Sequence, residues 1–260
     1  MSIKSISLFL LLNGVAIFSC SQKQSFSEQK IVGGEEIPAD HSIAKSTVAL
    51  VNSLNLKSFC SGVVIARRVV LTAAHCILQT TPDSVVSFGN ISEETPTIKI
   101  GHSVTHPDFD ESQLEIEEPL SIPADIGLIF LESDAPVSFA PNTLPTNDKQ
   151  ISGNDALVLA GYGASEVRPN KGLGVLRAVT TSVSKIDSVN HELRYGGQRG
   201  KTACVGDSGG PAFTTSKSKT SRLELVGIIS RGETLCTEIG FVTDLRDYGH
   251  WIITESSIQH

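Results

Sequence analysis

Gly206-Asp207-Ser208-Gly209-Gly210-Pro211 is the most informative stretch of this 260-residue chain. A serine hydroxyl is a poor nucleophile at neutral pH and must hand its proton to a base as it attacks. Glycines on both sides of Ser208 let the backbone turn sharply and bring amide hydrogens close to a substrate carbonyl. The candidate base is His75, within Thr72-Ala73-Ala74-His75-Cys76, because imidazole accepts a proton near pH 7 and returns it to a leaving amine. A buried carboxylate would fix the imidazole tautomer, and Asp125, opening Asp125-Ile126-Gly127-Leu128-Ile129, is placed for that. Taken singly, His75 reads as a core histidine, Asp125 as a strand-end cap and the 206–211 segment as a Gly-rich turn. Their combination carries the signal.

A fourth motif, Ile31-Val32-Gly33-Gly34, follows the basic Lys30. Together the four segments resemble the chymotrypsin/trypsin family of serine proteases, over nearly all of residues 31–253. The resemblance implies two six-stranded antiparallel β-barrels with the active site in the cleft between them. It casts His75 as general acid/base, Asp125 as the orienting acid and Ser208 as nucleophile, in the chain order His, Asp, Ser. An α/β-hydrolase would place its nucleophile first. The N–H groups of Gly206 and Ser208 would form the oxyanion hole, where one lost donor costs roughly 10²–10³ in turnover. The resemblance further implies a zymogen: cleavage after Lys30 frees the Ile31 amine, which turns inward and pairs with Asp207. Without that partner the oxyanion loop and the specificity pocket would be loose. The alternative is a catalytically inactive protease-fold protein used for binding or adhesion, although all three triad positions and Gly206 are present. A more distant rival is an esterase using the same triad.

The remainder of the chain agrees on an all-β class. Short apolar runs separated by turn residues recur at Val48–Val51, Gly62–Ala66, Val69–Thr72, Val85–Phe88, Ile98–Ile100, Ile126–Leu131, Ala156–Ala160, Leu176–Val183, Leu223–Ile229 and Phe241–Val242. The Pro/Asn/Thr stretch at 141–147 divides them into an N-terminal barrel of about 31–140 and a C-terminal barrel of about 150–245. Leu245, Tyr248, Trp251 and Ile252 fall at helical spacing behind Asp244, predicting a C-terminal helix over about 244–255.

Lys4 followed by the short apolar run 6–18 reads as a secretion signal over 1–20, too short for a membrane span of roughly 20 apolar residues. Residues 21–30 are then an activation propeptide and 31–260 the peptidase domain. Cys20 stands where the signal would be cut. It is either a lipid-anchored first residue, as in a bacterial lipoprotein, or a cysteine lost with the signal or left unpaired. Both readings place the chain outside the cytoplasm: extracellular, or periplasmic or on the outer membrane if bacterial. The net charge of −7 argues against a nucleic-acid partner. Expected partners are protein or peptide substrates and an activating trypsin-like protease, with the chain acting as a monomer and touching a membrane only through lipid at Cys20. No cofactor and no metal are expected.

The resemblance pairs the other four cysteines as Cys60–Cys76, behind the histidine, and Cys204–Cys236, across the pocket. It places Thr202 at the pocket base, with Gly232 and Gly240 on the walls and Ser230, Arg231 and Gly232 along the substrate strand. A threonine offers a hydroxyl and no charge, and two wall glycines leave the pocket open. An apolar residue before the scissile bond is therefore favoured over Arg or Lys, and medium or large ones first. Such an enzyme would not cut after its own Lys30, hence the separate activating protease. Arg231 stands where the family usually carries Trp. The acidic stretch before Asp125 reads chiefly as solvated surface.

Overall fold

A computed structural model describes residues 33–116, 121–146, 148–166, 171–215 and 222–257. The signal segment, Cys20, Lys30 and Ile31 lie outside these described residues.

A two-residue strand, β1 (Glu35–Glu36), precedes the first barrel. That barrel is built from β2 (Thr47–Asn52), β3 (Lys57–Ala66), β4 (Val69–Thr72), β5 (Ser84–Ser87), β6 (Thr97–Thr105) and β7 (Gly127–Leu131). It closes in the order β2-β3-β4-β7-β6-β5. The second comprises β8 (Ala156–Gly161), β9 (Arg177–Asp187), β10 (Glu192–Tyr195), β11 (Pro211–Thr215), β12 (Leu223–Gly232) and β13 (Gly240–Asp244). Its order is β9-β10-β13-β12-β11-β8, with β8 returning to pair β9 and β1 added outside β9. All these pairings are antiparallel, and closure leaves only the two-residue β1 as an edge among the described strands. The expected pair of six-stranded barrels is the fold of the chain.

The apolar runs become strands because their residues are buried on both faces. β4 (VVLT) and β7 (GLIFL) are buried at every position, one side facing the barrel interior and the other facing neighbouring structure. Each fully buried Val, Leu or Ile contributes about 1.5–3 kcal/mol of transfer free energy. One core cluster joins the first barrel to Tyr162, Phe213, Ile228 and Ile252, so the two barrels and the C-terminal helix share it. A second cluster fills the other barrel and includes Leu193, Tyr195 and Val242.

Besides the two-residue β1, two barrel strands stood outside the apolar runs. β10 carries Glu192 and Arg194, and β11 begins with a proline, so neither has a strand's usual composition. The chain end also differs in detail. Asp244 caps a 3-10 turn at Leu245–Asp247 by accepting from the Arg246 amide, and the α-helix follows at Gly249–Ser257. Within that helix Ile252 is the buried anchor.

Candidate active site

Strand pairing brings the first two candidates together across 50 residues. β4 and β7 lie side by side with Thr72 opposite Gly127. His75 opens the short helix Ala74–Leu78 just beyond β4, and Asp125 sits two residues before β7. The His75 Nδ1 lies 2.8 Å from Asp125 Oδ2, and the His75 amide donates to Asp125 Oδ1 at 3.0 Å. From β12, the Ser230 hydroxyl donates to the same Oδ2 at 2.6 Å. Asp125 is fully buried. Burial alone would push its carboxyl up. The neighbouring imidazole, its hydrogen bond, the Ser230 hydroxyl and the His75 amide outweigh that and hold it below the usual carboxylate range. Burial also disfavours a charged imidazole, yet the Asp125 charge and hydrogen bond prevail and raise the His75 pKa above 6.5. The site is thus built to hold a proton on His75 once one arrives.

Ser208 reaches this pair from the second barrel, in the loop leading into β11. Gly206 and Gly209 have φ of +92° and +79°, in the left-handed region that favours glycine. A Cβ on Gly209 would lie 2.1 Å from Thr72 Oγ1, so the loop is also pressed against the first barrel. Ser61 of β3 clamps it there: its amide donates to the Ser208 carbonyl at 2.7 Å and its hydroxyl to the Gly206 carbonyl at 2.8 Å. Among the described residues, no acceptor meets the Gly206 or Ser208 amides. The Ser208 hydroxyl donates to the Ser230 carbonyl at 3.3 Å rather than to His75. Catalytic hydrogen bonds are often long or unformed without a ligand.

Asp207, beside Ser208, is buried as completely as Asp125. Its Oδ1 accepts from the Gly163 amide and its Oδ2 from the Cys204 amide, both at 2.8 Å. Burial pushes its pKa up to about 7, against those two amides and the charge of Arg177. Among the described residues no cation makes an ion pair with it. The disulfides are Cys60–Cys76 and Cys204–Cys236, with Cα separations of 6.0 Å and 5.2 Å. Cys60, His75 and Cys76 are the one metal-sized group of side chains among the described residues. With both sulfurs in a disulfide, no thiolate remains there to bind an ion.

The expected pocket residues fall into two groups. A cleft of about 200 Å³ beside Ser208 is lined by residues of the 203–205 segment, Ile229, Arg231, Gly232, Glu233, Thr234 and Cys236. Thr202 and Gly240 do not line it. Thr202 is fully buried, and its hydroxyl faces the phenol of Tyr195 at 3.4 Å. Gly240 is covered by the same phenol: a Cβ there would lie 2.1 Å from the Tyr195 hydroxyl oxygen. The sequence reading did not single out Tyr195. Its one local signal is an aromatic residue just before Gly196-Gly197, a pattern common in ordinary turns. Arg231 is an equally built feature. Its guanidinium pairs with buried Glu192 (Nη2–Oε2 3.0 Å, and Nη1 to Oε1) and lies 3.9 Å from the centre of the Phe241 ring.

Comparison with known proteins bears on the same residues. Trypsin 5G1 of Aedes aegypti is 28% identical over 246 residues, covering 85% of this chain and 84% of that protein. Cathepsin G of Mus musculus is 28% identical, covering 86% of this chain and 84% of its own length. Phenoloxidase-activating enzyme of Bombyx mori is 29% identical over 86% of this chain, which spans 60% of that longer protein. The trypsin family's sequence profile matches residues 31–252, which hold both barrels and every described residue of the site. This chain belongs to the trypsin family and is a serine endopeptidase.

Proposed function

We propose that this is an exported endopeptidase made as a zymogen, which cuts peptide bonds through Ser208, His75 and Asp125. One observation carries the reading: the 2.8 Å contact of His75 Nδ1 with a fully buried Asp125, which also accepts from Ser230, the residue whose carbonyl the Ser208 hydroxyl meets. With Nδ1–H committed to Asp125, Nε2 is left as the acceptor. Ser208 Oγ rotates to Nε2 and gives up its proton as it attacks the scissile carbonyl carbon. The carbonyl π pair moves to oxygen, where the Gly206 and Ser208 amides receive it. The tetrahedral intermediate collapses, His75 gives its proton to the leaving amine, and an acyl ester remains on Ser208. Water, deprotonated by His75, repeats the cycle and releases the acid.

The zymogen reading is supported by Asp207. A carboxyl whose burial pushes its pKa to about 7 calls for a cation, and the free Ile31 amine would supply one. Gly33, two residues on, is packed against the Gly200 carbonyl, so the chain already enters the second barrel near this loop. Export follows from the leader over residues 1–20, with lipid at Cys20 deciding between a free and an anchored enzyme. Substrates are proteins or peptides, and the relatives named as activating factors fit a place in a proteolytic cascade.

The test is to cut Lys30–Ile31 with an added trypsin-like protease and treat cut and uncut chains with a serine-directed phosphonate. Label on Ser208 in the cut chain, with peptide-ester hydrolysis rising on cutting, is the expected result. Equal rates before and after cutting would remove the zymogen. No label in either form would leave an inactive binding protein.

A further inference from the structure

Tyr195 packs behind the cleft, in the space that Gly240 leaves, with its hydroxyl against the amide of the cleft-lining Ala203. It is the last residue of β10, where the register with β9 shifts between Arg194 and Tyr195. On the other side β10 pairs with β13, setting Tyr195 opposite Gly240, and β13 pairs with β12, setting Gly240 opposite Gly232. The three residues form one row across three strands, ending at the cleft wall. Gly240 has no side chain, and the space it leaves holds the Tyr195 ring: a Cβ on Gly240 would stand 2.1 Å from the hydroxyl oxygen and 2.3 Å from Cζ. The hydroxyl sits 3.4 Å from Thr202 Oγ1 and 3.4 Å from the Ala203 amide, which fix the ring in place. Tyr195 has no exposed surface and belongs to the barrel core, so it is a packed wall rather than a loose cover. The glycine that reads as an opening is a seat for the tyrosine.

In front of it lies the cleft of about 200 Å³. Its one acid among the described residues is Glu233, whose Oε2 is taken by the amides of Glu238 and Ile239, at 2.9 and 3.2 Å, and by the Thr237 hydroxyl. Glu233 is exposed, with its Oε2 already engaged, and Thr202, shut behind the ring, offers no charge.

We infer that Tyr195 sets the floor of the specificity pocket and restricts the residue before the scissile bond to small aliphatic side chains such as Ala or Val. This deepens the endopeptidase reading and rests on it. It also narrows the sequence expectation, which put medium and large apolar residues first.

The test compares kcat/KM on otherwise identical peptide amides carrying Ala, Val, Phe or Arg before the cleaved bond, using chain cut at Lys30–Ile31. Wild type should prefer Ala or Val over Phe and Arg by at least about tenfold. Tyr195→Phe keeps the ring and should keep that order. Tyr195→Ala should raise the Phe-to-Ala ratio at least about tenfold. Where Tyr195→Ala does not fold, Tyr195→Leu, which removes most of the ring's reach, should move the ratio the same way. Loss of a structural hydroxyl would shift stability without moving this ratio. Wild type cutting after Phe or Arg as fast as after Ala overturns the inference, as does a folded Tyr195→Ala or Tyr195→Leu with the wild-type ratio. Phosphonate label on Ser208 accompanying either result leaves the endopeptidase reading intact. Absence of label and of all cleavage sinks both together.

Discussion

Asp125 and Asp207 are both completely buried, 82 residues apart in sequence and on either side of the same serine, yet their proton affinities are driven in opposite directions. Burial raises both. Asp125 is then pulled below the ordinary range by an imidazole, a hydroxyl and an amide, while Asp207, with two amides and the charge of Arg177, is left at about 7. Desolvation thus fixes what a buried carboxylate needs, and the partner decides what it becomes. One aspartate has its partner built into the fold from β4 and β12. The other awaits, in our reading, a partner made by proteolysis.

The largest way to break this contrast is at Asp125. Asp125→Asn keeps the shape but removes the charge and frees the wrong imidazole tautomer. A loss of about 10⁴ in kcat is expected, the size that the same replacement produces in the Ser-His-Asp triad of a trypsin-like protease. The pH profile should change with it. In the wild type, activity requires neutral His75, so kcat/KM climbs as pH rises through a pKa held above 6.5 by Asp125. In the variant that limb should move to lower pH. A limb that stays in place would mean that Asp125 does not control His75.

Asp207 offers the next test, in stability rather than rate. Its folded pKa, about 7, lies above the ordinary 3.8, so the folded state holds the proton more tightly. The associated stability is complete below about pH 4 and is lost as pH rises through about 7, on the order of 4 kcal/mol in all. The uncut chain should show this decline in urea unfolding, and the cut chain, with an amine beside Asp207, should not. His75 is raised in pKa as well and adds a loss of the same sign, but in both forms, so their difference isolates Asp207. Asp207→Asn should abolish the difference. A slope shared equally by cut and uncut chains would remove the proposed partner.

The smallest effect is expected at Ser230, whose hydroxyl supports Asp125 from the second barrel at 2.6 Å. Ser230→Ala removes one hydrogen bond to a charged acceptor, worth about 1.5–3 kcal/mol, and leaves the two His75 contacts. A fall of about tenfold or somewhat more in kcat/KM should follow. No change would show that the His75 contacts alone hold Asp125.

Much of this was legible in the residues themselves. His75, Asp125, Ser208 and Gly206 stand in short motifs whose local backbone requirements are strict: a glycine at φ +92° and another at +79° must be glycines wherever the chain folds. The runs that became β4 and β7 declare themselves because strands buried on both faces read as nearly continuous apolar runs. β10 did not, because its Glu192 is buried by virtue of Arg231 and the Ile122 amide, 39 and 70 residues away. An ion pair of that kind has no local pattern.

Sequence alone supplied the proposed chemistry: Ser208 as nucleophile, His75 as base, Asp125 as acid, and the glycines that let the loop turn. It also named Thr202, Gly232 and Gly240 around the substrate, but it could not say what fills the space a glycine leaves. That was decided by the pairing of β10, β13 and β12, which sets Tyr195, Gly240 and Gly232 in one row. A missing side chain is a local fact, whereas an empty volume depends on every strand around it.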